Sequence, residues 1–175
     1  MKKLIIGNWK MNLNFKASLV LAKNYLKLLK NNKQELVICP SEFALAEIKK
    51  IIKFSKIKLG AQNISAFERG AHTGSTDGQS LKELGCEFVI IGHSERREQG
   101  ETSQQVNAKI KQALKNKLTP VVCVGESWEK YKAGHGRAWV ANQIKQALAG
   151  VSLGQSRLII AYEPIWAIGS GKPMA

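Results

Sequence analysis

Short, almost purely apolar runs recur along the chain, with longer mixed segments between them. Leu4-Ile5-Ile6, Leu36-Val37-Ile38, Ile57-Lys58-Leu59, Phe88-Val89-Ile90-Ile91, Val121-Val122-Cys123-Val124 and Leu158-Ile159-Ile160-Ala161 read as six strands. Polar residues do not alternate through them, which predicts strands covered on both faces, as in a parallel sheet. In the first intervening segment Phe15, Leu19, Ala22, Leu26 and Leu29 recur at the 3.6-residue period of an amphipathic helix. Leu45, Ile48 and Ile52, then Val106, Ile110 and Ala113, then Val140, Ile144 and Ala147 form similar stripes. Thr102 or Ser103 offers an N-cap to the third helix, and Gly150 and Gly154 break the last. Strand, helix and strand in repetition require right-handed crossovers and a parallel sheet with helices outside. An open doubly wound sheet and a (β/α) barrel both satisfy the pattern. In either, ligands gather at the carboxyl ends of the strands.

Composition narrows the class without naming a chemistry. The 175 residues suit one domain. The longest apolar run, beginning at Phe88, is far short of the roughly 20 residues of a bilayer span. Met1-Lys2-Lys3 followed by Leu4-Ile5-Ile6 has the look of a signal n-region, but Asn8, Lys10 and Asn12 interrupt it at once, so the segment reads as a first strand. Cys39, Cys86 and Cys123 are widely separated, which suggests neither a zinc site nor a disulfide framework and predicts a reducing, cytoplasmic setting. A formal net charge of +14 would attract anions. Its lysines are dispersed over what read as solvent-facing helix sides, with no nucleic-acid motif, so no nucleic-acid partner is expected; without a span, no membrane partner is expected either.

Polar groups cluster where the strands end. "GNWKMN" (7–12) follows the first run, "GHSERR" (92–97) the fourth, "VGES" (124–127) the fifth, and Glu163 the sixth. Singly, each has a structural reading: Lys10 as a surface cation, His93 as a half-buried histidine, Glu95 as an ion partner, Glu163 as a capping acid. Together, an ammonium, an imidazole and a carboxylate at one mouth can remove a proton next to a carbonyl, stabilise the enediolate and return the proton elsewhere. No metal-ligand spacing accompanies them.

With "GAQN" (60–63), "GAHTGS" (70–75), "IIGHSERR" (90–97), "CVGES" (123–127) and "AYEPIWAIGSGK" (161–172) added, the chain closely resembles the triosephosphate isomerase family along its whole length. The resemblance implies an α/β fold, the TIM (β/α)8 barrel, as a single domain over residues 1–175. About six of the eight βα units are present, through the sixth strand and the loop after it. It further implies a cofactor-free and metal-free isomerase of glycolysis and gluconeogenesis that interconverts dihydroxyacetone phosphate and glyceraldehyde 3-phosphate, usually as a homodimer.

Residue by residue, Glu163 matches the catalytic base. His93 matches the electrophile that family members keep neutral at a helix N-terminus. Lys10 matches the cation that offsets the enediolate and phosphate charge, Asn8 a residue that orients substrate, and Glu95 the acid beside the lysine. Ser94, Cys123 and Glu126 fall in supporting positions. Pro164, Ile165, Trp166, Ala167, Ile168, Gly169, Ser170, Gly171 and Lys172 match the family's mobile lid, with the backbone N–H of Gly169 reaching the phosphate. A P-loop reading of the same segment fails, because GxxxxGK[ST] would need glycine at Trp166 and a hydroxyl residue at Pro173.

Three departures carry expectations. Without a seventh and eighth strand the 175 residues lack much of the phosphate grip, so by themselves they should have little or no isomerase activity. They should also be prone to associate through open barrel edges, either as a fragment awaiting its missing quarter or as a non-catalytic remnant. His72 and Ser75 replace an aromatic residue and a glutamate in the loop that, around Thr73, enters the neighbouring subunit of family members. Arg96, the usual partner of that glutamate, would then turn to Asp77 or Glu98.

Overall fold

The computed structural model describes residues 3–28 and 34–168. Six parallel strands form one sheet: β1 (Leu4–Asn8), β2 (Glu35–Cys39), β3 (Ile57–Ala61), β4 (Cys86–Ile91), β5 (Thr119–Val124) and β6 (Ile159–Tyr162). Their order in the sheet is their order in the sequence, β1 to β6 without a reversal. A doubly wound sheet needs a switch point where that order reverses, so the sequential order decides for the barrel. Side chains show the curl directly. Arg157, just before β6, reaches Glu35 at the start of β2 (3.4 Å), whereas a flat sheet would hold those strands about 19 Å apart at about 4.8 Å per strand.

Every strand but β3 has two apolar faces; β3 turns Lys58 inward, where it pairs with Glu35 (2.8 Å). Val37, Cys39, Phe88, Ile90, Val121 and Cys123 form an interior cluster, against which Leu4 and Ile6 of β1 and Ile159 and Ala161 of β6 also pack. Alternate residues, among them Ile38, Leu59, Val89, Ile91 and Val122, face outward into a larger core under the helices. This two-sided burial is why the runs other than Ile57-Lys58-Leu59 are unbroken by polar residues. The strands extend one or two residues beyond most of the apolar runs. Pro120 lies inside β5, where it is tolerated because pairing with β6 begins only at Val121.

The outer layer comprises α1 (Phe15–Leu28), α2 (Leu45–Ile52), α3 (Gly78–Glu83), α4 (Ser94–Glu98), α5 (Ser103–Lys115), α6 (Trp128–Lys132) and α7 (Gly136–Ala147). Thr102 is the cap of α5, in a reciprocal box with Gln105. Ala22, Leu45, Ile48, Ile52, Val106, Ile110, Ala113 and Ala147 are buried as their stripes predict. Phe15 is a correction. It is 43% exposed at the first turn of α1, where it meets Phe43 rather than the core. Leu29, the last position of that stripe, lies outside the described residues. The outer side of β6 and part of β1 are open: Ile160, Tyr162 and Ile5 are 39%, 46% and 47% exposed. Among the described residues no helix is long and apolar enough to cross a membrane.

Candidate active site

Chemistry-bearing residues from β1, β4, β5 and β6 meet at the carboxyl end of the sheet. Lys10 follows β1 in a left-handed backbone conformation (φ 52°), which costs a non-glycine residue of order 1–3 kcal/mol. Neighbours hold it there. The Lys10 N–H donates to Asn8 Oδ1 (3.0 Å), while its carbonyl accepts from Ser41 Oγ (3.0 Å) and Gln62 Nε2 (2.9 Å). Gln62 Nε2 also donates to the Cys39 carbonyl (2.9 Å), tying β1, β2 and β3 together at one point. Thus aimed, the Lys10 ammonium donates to Glu95 Oε1 (2.7 Å), and that bond holds the Glu95 carboxyl below the usual carboxylate range.

His93 follows β4 and caps α4. The Glu95 N–H donates to His93 Nδ1 (3.3 Å), so Nδ1 is an acceptor and the ring proton belongs on Nε2. Nε2 stands 3.3 Å from Glu163 Oε2. The other carboxylate oxygen of Glu163 accepts from the Ser94 N–H (2.7 Å). Burial raises the Glu163 pKa above its ordinary 4.5, outweighing the opposing pull of His93, the Ser94 N–H, Arg97 and Lys10. A half-buried carboxylate with a raised pKa beside an N–H donor suits proton abstraction at carbon. A cleft of about 470 Å³ opens on the Lys10 side of His93, with Asn8, Ser41, Gln62 and Arg96 on its walls.

Two residues are placed by geometry that spacing alone does not reveal. Arg97 lies under the site, its Nε donating to the Gly92 carbonyl (2.8 Å). Gly125, after β5, lets β6 pass so closely that a methyl group there would fall 1.8 Å from the Glu163 carbonyl oxygen. Both sit inside quoted motifs, "GHSERR" and "CVGES", yet only the packing assigns them a part. Gln62 likewise sits unremarked in "GAQN".

Ser94 contributes its backbone N–H, and Glu126 supports the segment after Glu163. Glu126 is 2% exposed; its Oε1 accepts from Tyr162 Oη (2.8 Å) and Trp166 Nε1 (3.2 Å), and its carbonyl from the Ile165 N–H (3.2 Å). The Trp166 ring packs against Trp128 and Tyr131, with centroids 5.5 and 4.9 Å away. Burial pushes the Cys123 thiol up to about 12, which makes it packing rather than a nucleophile. Of the lid, Pro164 to Ile168 are described; Gly169, Ser170, Gly171 and Lys172 lie outside the described residues. Thr73 is exposed, and His72 stacks on Phe67 (4.2 Å, 9°). Asp77 is taken up capping α3, its carboxylate accepting from the Ser80 N–H and hydroxyl. The described partners of Arg96 are instead Gln99 (3.2 Å) and Glu101 (4.0 Å).

The Gln62 clamp is open to test. Gln62→Leu keeps the bulk but removes both bonds, so the strained Lys10 loop relaxes. Turnover should fall about tenfold or more, since small misplacements of reacting groups are costly. Stability should fall by about 1–3 kcal/mol from the two lost hydrogen bonds, although both carbonyls keep a second donor, Ser41 Oγ for Lys10 and the Trp9 N–H for Cys39. Unchanged turnover would show that Lys10 is held without Gln62.

A family model described as Triosephosphate isomerase matches residues 3–175. A triosephosphate isomerase of Dehalococcoides mccartyi is 50% identical over 98% of this chain and 68% of its own length. One from Moorella thermoacetica is 42% identical over 98% of this chain and 70% of its own. The crystal structure of triosephosphate isomerase from Bartonella henselae superposes with a TM-score of 0.85 at 32% identity, covering 95% of this chain and 69% of that one.

Proposed function

Since the chain belongs to the triosephosphate isomerase family, we propose that Glu163, His93, Lys10, Asn8 and Glu95 are the groups with which it interconverts dihydroxyacetone phosphate and glyceraldehyde 3-phosphate. The observation carrying this reading is the Glu163–His93–Glu95–Lys10 chain of contacts at 3.3, 3.3 and 2.7 Å across the mouth of the sheet. The Glu163 carboxylate takes the proton from the carbon beside the carbonyl. His93 Nε2–H donates to the carbonyl oxygen, and the electron pair settles as an enediolate whose charge Lys10 offsets. Glu163 then returns the proton to the neighbouring carbon, while the hydroxyl proton of the first carbon passes by way of His93 Nε2 to the former carbonyl oxygen, so that the first carbon becomes the new carbonyl. Asn8, which fixes the Lys10 backbone, and Glu95, which fixes its ammonium, are positioning residues in this scheme. Gly169 supplies a phosphate-binding N–H, and the segment from Pro164 onward closes over the substrate to keep water out.

At 3.3 Å, Glu163 and His93 leave no space for a substrate carbon between them. Substrate entry therefore lifts the carboxylate off the Ser94 N–H. The protein works as a homodimer, with the loop around Thr73 reaching the second subunit, in the glycolytic and gluconeogenic direction of the same reaction.

The test is an isomerase assay across pH on the purified protein. Because burial raises the Glu163 pKa, the acid limb of kcat/KM, once corrected for the substrate phosphate's own titration at about 6, should lie above 4.5, with activity lost as pH falls through it. An acid limb at or below 4.5, or no isomerisation by the full-length protein, would overturn the assignment. The exposed outer face of β6 supports a second reading for these 175 residues taken alone: a slow or inactive species that self-associates along β1 and β6. A monodisperse, fully active 175-residue preparation would contradict it.

A further inference from the structure

Half of the chain's net positive charge falls in a quarter of its length. Residues 16–58 carry ten lysines and three glutamates, a net +7 of the total +14, with neither arginine nor aspartate. α1 and α2 pack against each other in this stretch. Each joins two parallel strands, so both run back along the sheet and end beside its amino edge, away from the site. At these ends the surface is more than basic. Phe54 is 95% exposed and Leu28 79%, flanked by the exposed Lys27, Lys53 and Lys56. The Lys53 ammonium lies 5.3 Å from the centre of the Phe54 ring.

Lysines in a last helical turn have an ordinary explanation, since they offset the helix dipole. That explanation covers Lys27 but not two large apolar side chains held in water beside it. The nearby acids are committed elsewhere: Glu35 pairs with Lys58 (2.8 Å) and Arg157 (3.4 Å), and Glu47 with Lys50 (2.5 Å). Among the described residues Lys27, Lys53 and Lys56 have no ion pair.

We infer that the paired carboxyl-terminal ends of α1 and α2 form a peripheral docking surface for an anionic phospholipid bilayer, with Phe54 and Leu28 entering the headgroup boundary and Lys27, Lys53 and Lys56 facing the lipid phosphates. Interfacial anchors combine apolar side chains of this kind with surrounding lysines. Nucleic acid is the poorer match, because the stretch lacks the arginine forks that grip phosphate and Leu28 offers no ring for a base to stack on. Docked this way, the catalytic mouth faces the solvent, and the inference does not depend on the proposed reaction.

Co-sedimentation with vesicles tests it, comparing phosphatidylglycerol mixed into phosphatidylcholine with phosphatidylcholine alone, at low salt. The protein should bind the anionic vesicles and leave the neutral ones. Each lysine exchanged for glutamine should weaken binding about fivefold, and Leu28→Ser with Phe54→Ser by about tenfold or more. All five side chains are exposed, and circular dichroism of each variant verifies the fold. Equal partition into both vesicles, or into neither, overturns the inference. So does binding that withstands loss of Leu28 and Phe54 while single-stranded RNA competes for the same lysines.

Discussion

Gly125→Ala should abolish most turnover although Gly125 touches no substrate. The added methyl would lie 1.8 Å from the Glu163 carbonyl oxygen and 2.8 Å from its carbonyl carbon. Both are backbone atoms, so no side-chain rotation relieves the overlap, and the ends of β5 and β6 must separate. Their separation breaks the bond from the Glu163 N–H to the Val124 carbonyl (2.8 Å) and strains the one from the Gly125 N–H to Gln143 Oε1 (2.9 Å). A shift of about 1 Å in a reacting group costs roughly a hundredfold in rate, and this shift carries the base itself. Overpacking of the junction should also lower stability by about 1–3 kcal/mol. Steady-state kinetics and a thermal melt on the same preparation measure both. Wild-type kcat with an unchanged melt would mean that the strand ends are looser than the close approach indicates.

This glycine also shows how far the sequence can be read unaided. The strand runs are legible because most strand residues of β2 to β5 are buried whichever face they take, and the polar groups beyond them are legible because parallel topology sends their carboxyl ends to one place. Contacts between strands are another matter. Gly125 has no positive φ, and its necessity lies in the approach of Glu163, a residue distant in sequence. Gln62 acts on Lys10 across β2, and no periodicity connects them. The curl of the sheet has no signature in the runs and emerges only in space, in the reach of Arg157 to Glu35 and the packing of β1 and β6 on one interior cluster. Helices α3, α4 and α6, of five or six residues, are too short to display a stripe. Phe15 fits the α1 period yet is exposed, because periodicity gives the facing side of a helix and not where its first turn leaves the sheet.

The second large effect separates catalysis from stability at a single side chain. Glu163→Gln removes the base and should lower kcat by on the order of 10²–10⁴, the usual worth of a positioned general base, with a smaller change in KM. Its amide also sets a donor against His93 Nε2–H at one end or against the Ser94 N–H at the other, which fixes a constant offset in stability. Ionisation adds a pH-dependent part whose sign is determined. The folded-state pKa of Glu163 is raised above 4.5, chiefly by burial, so the stability its protonated form retains below 4.5 is lost as pH rises through the folded value. Glutamine does not titrate there. The melting temperature of Glu163→Gln relative to the parent should therefore shift in favour of the variant between pH 4 and neutrality, while its turnover stays low throughout. A difference in melting temperature independent of pH would show that Glu163 is no more desolvated than an ordinary carboxylate. A shift in the opposite direction would show that His93, Arg97 and Lys10 outweigh its burial, and the acid limb of kcat/KM would then have to lie below 4.5 as well.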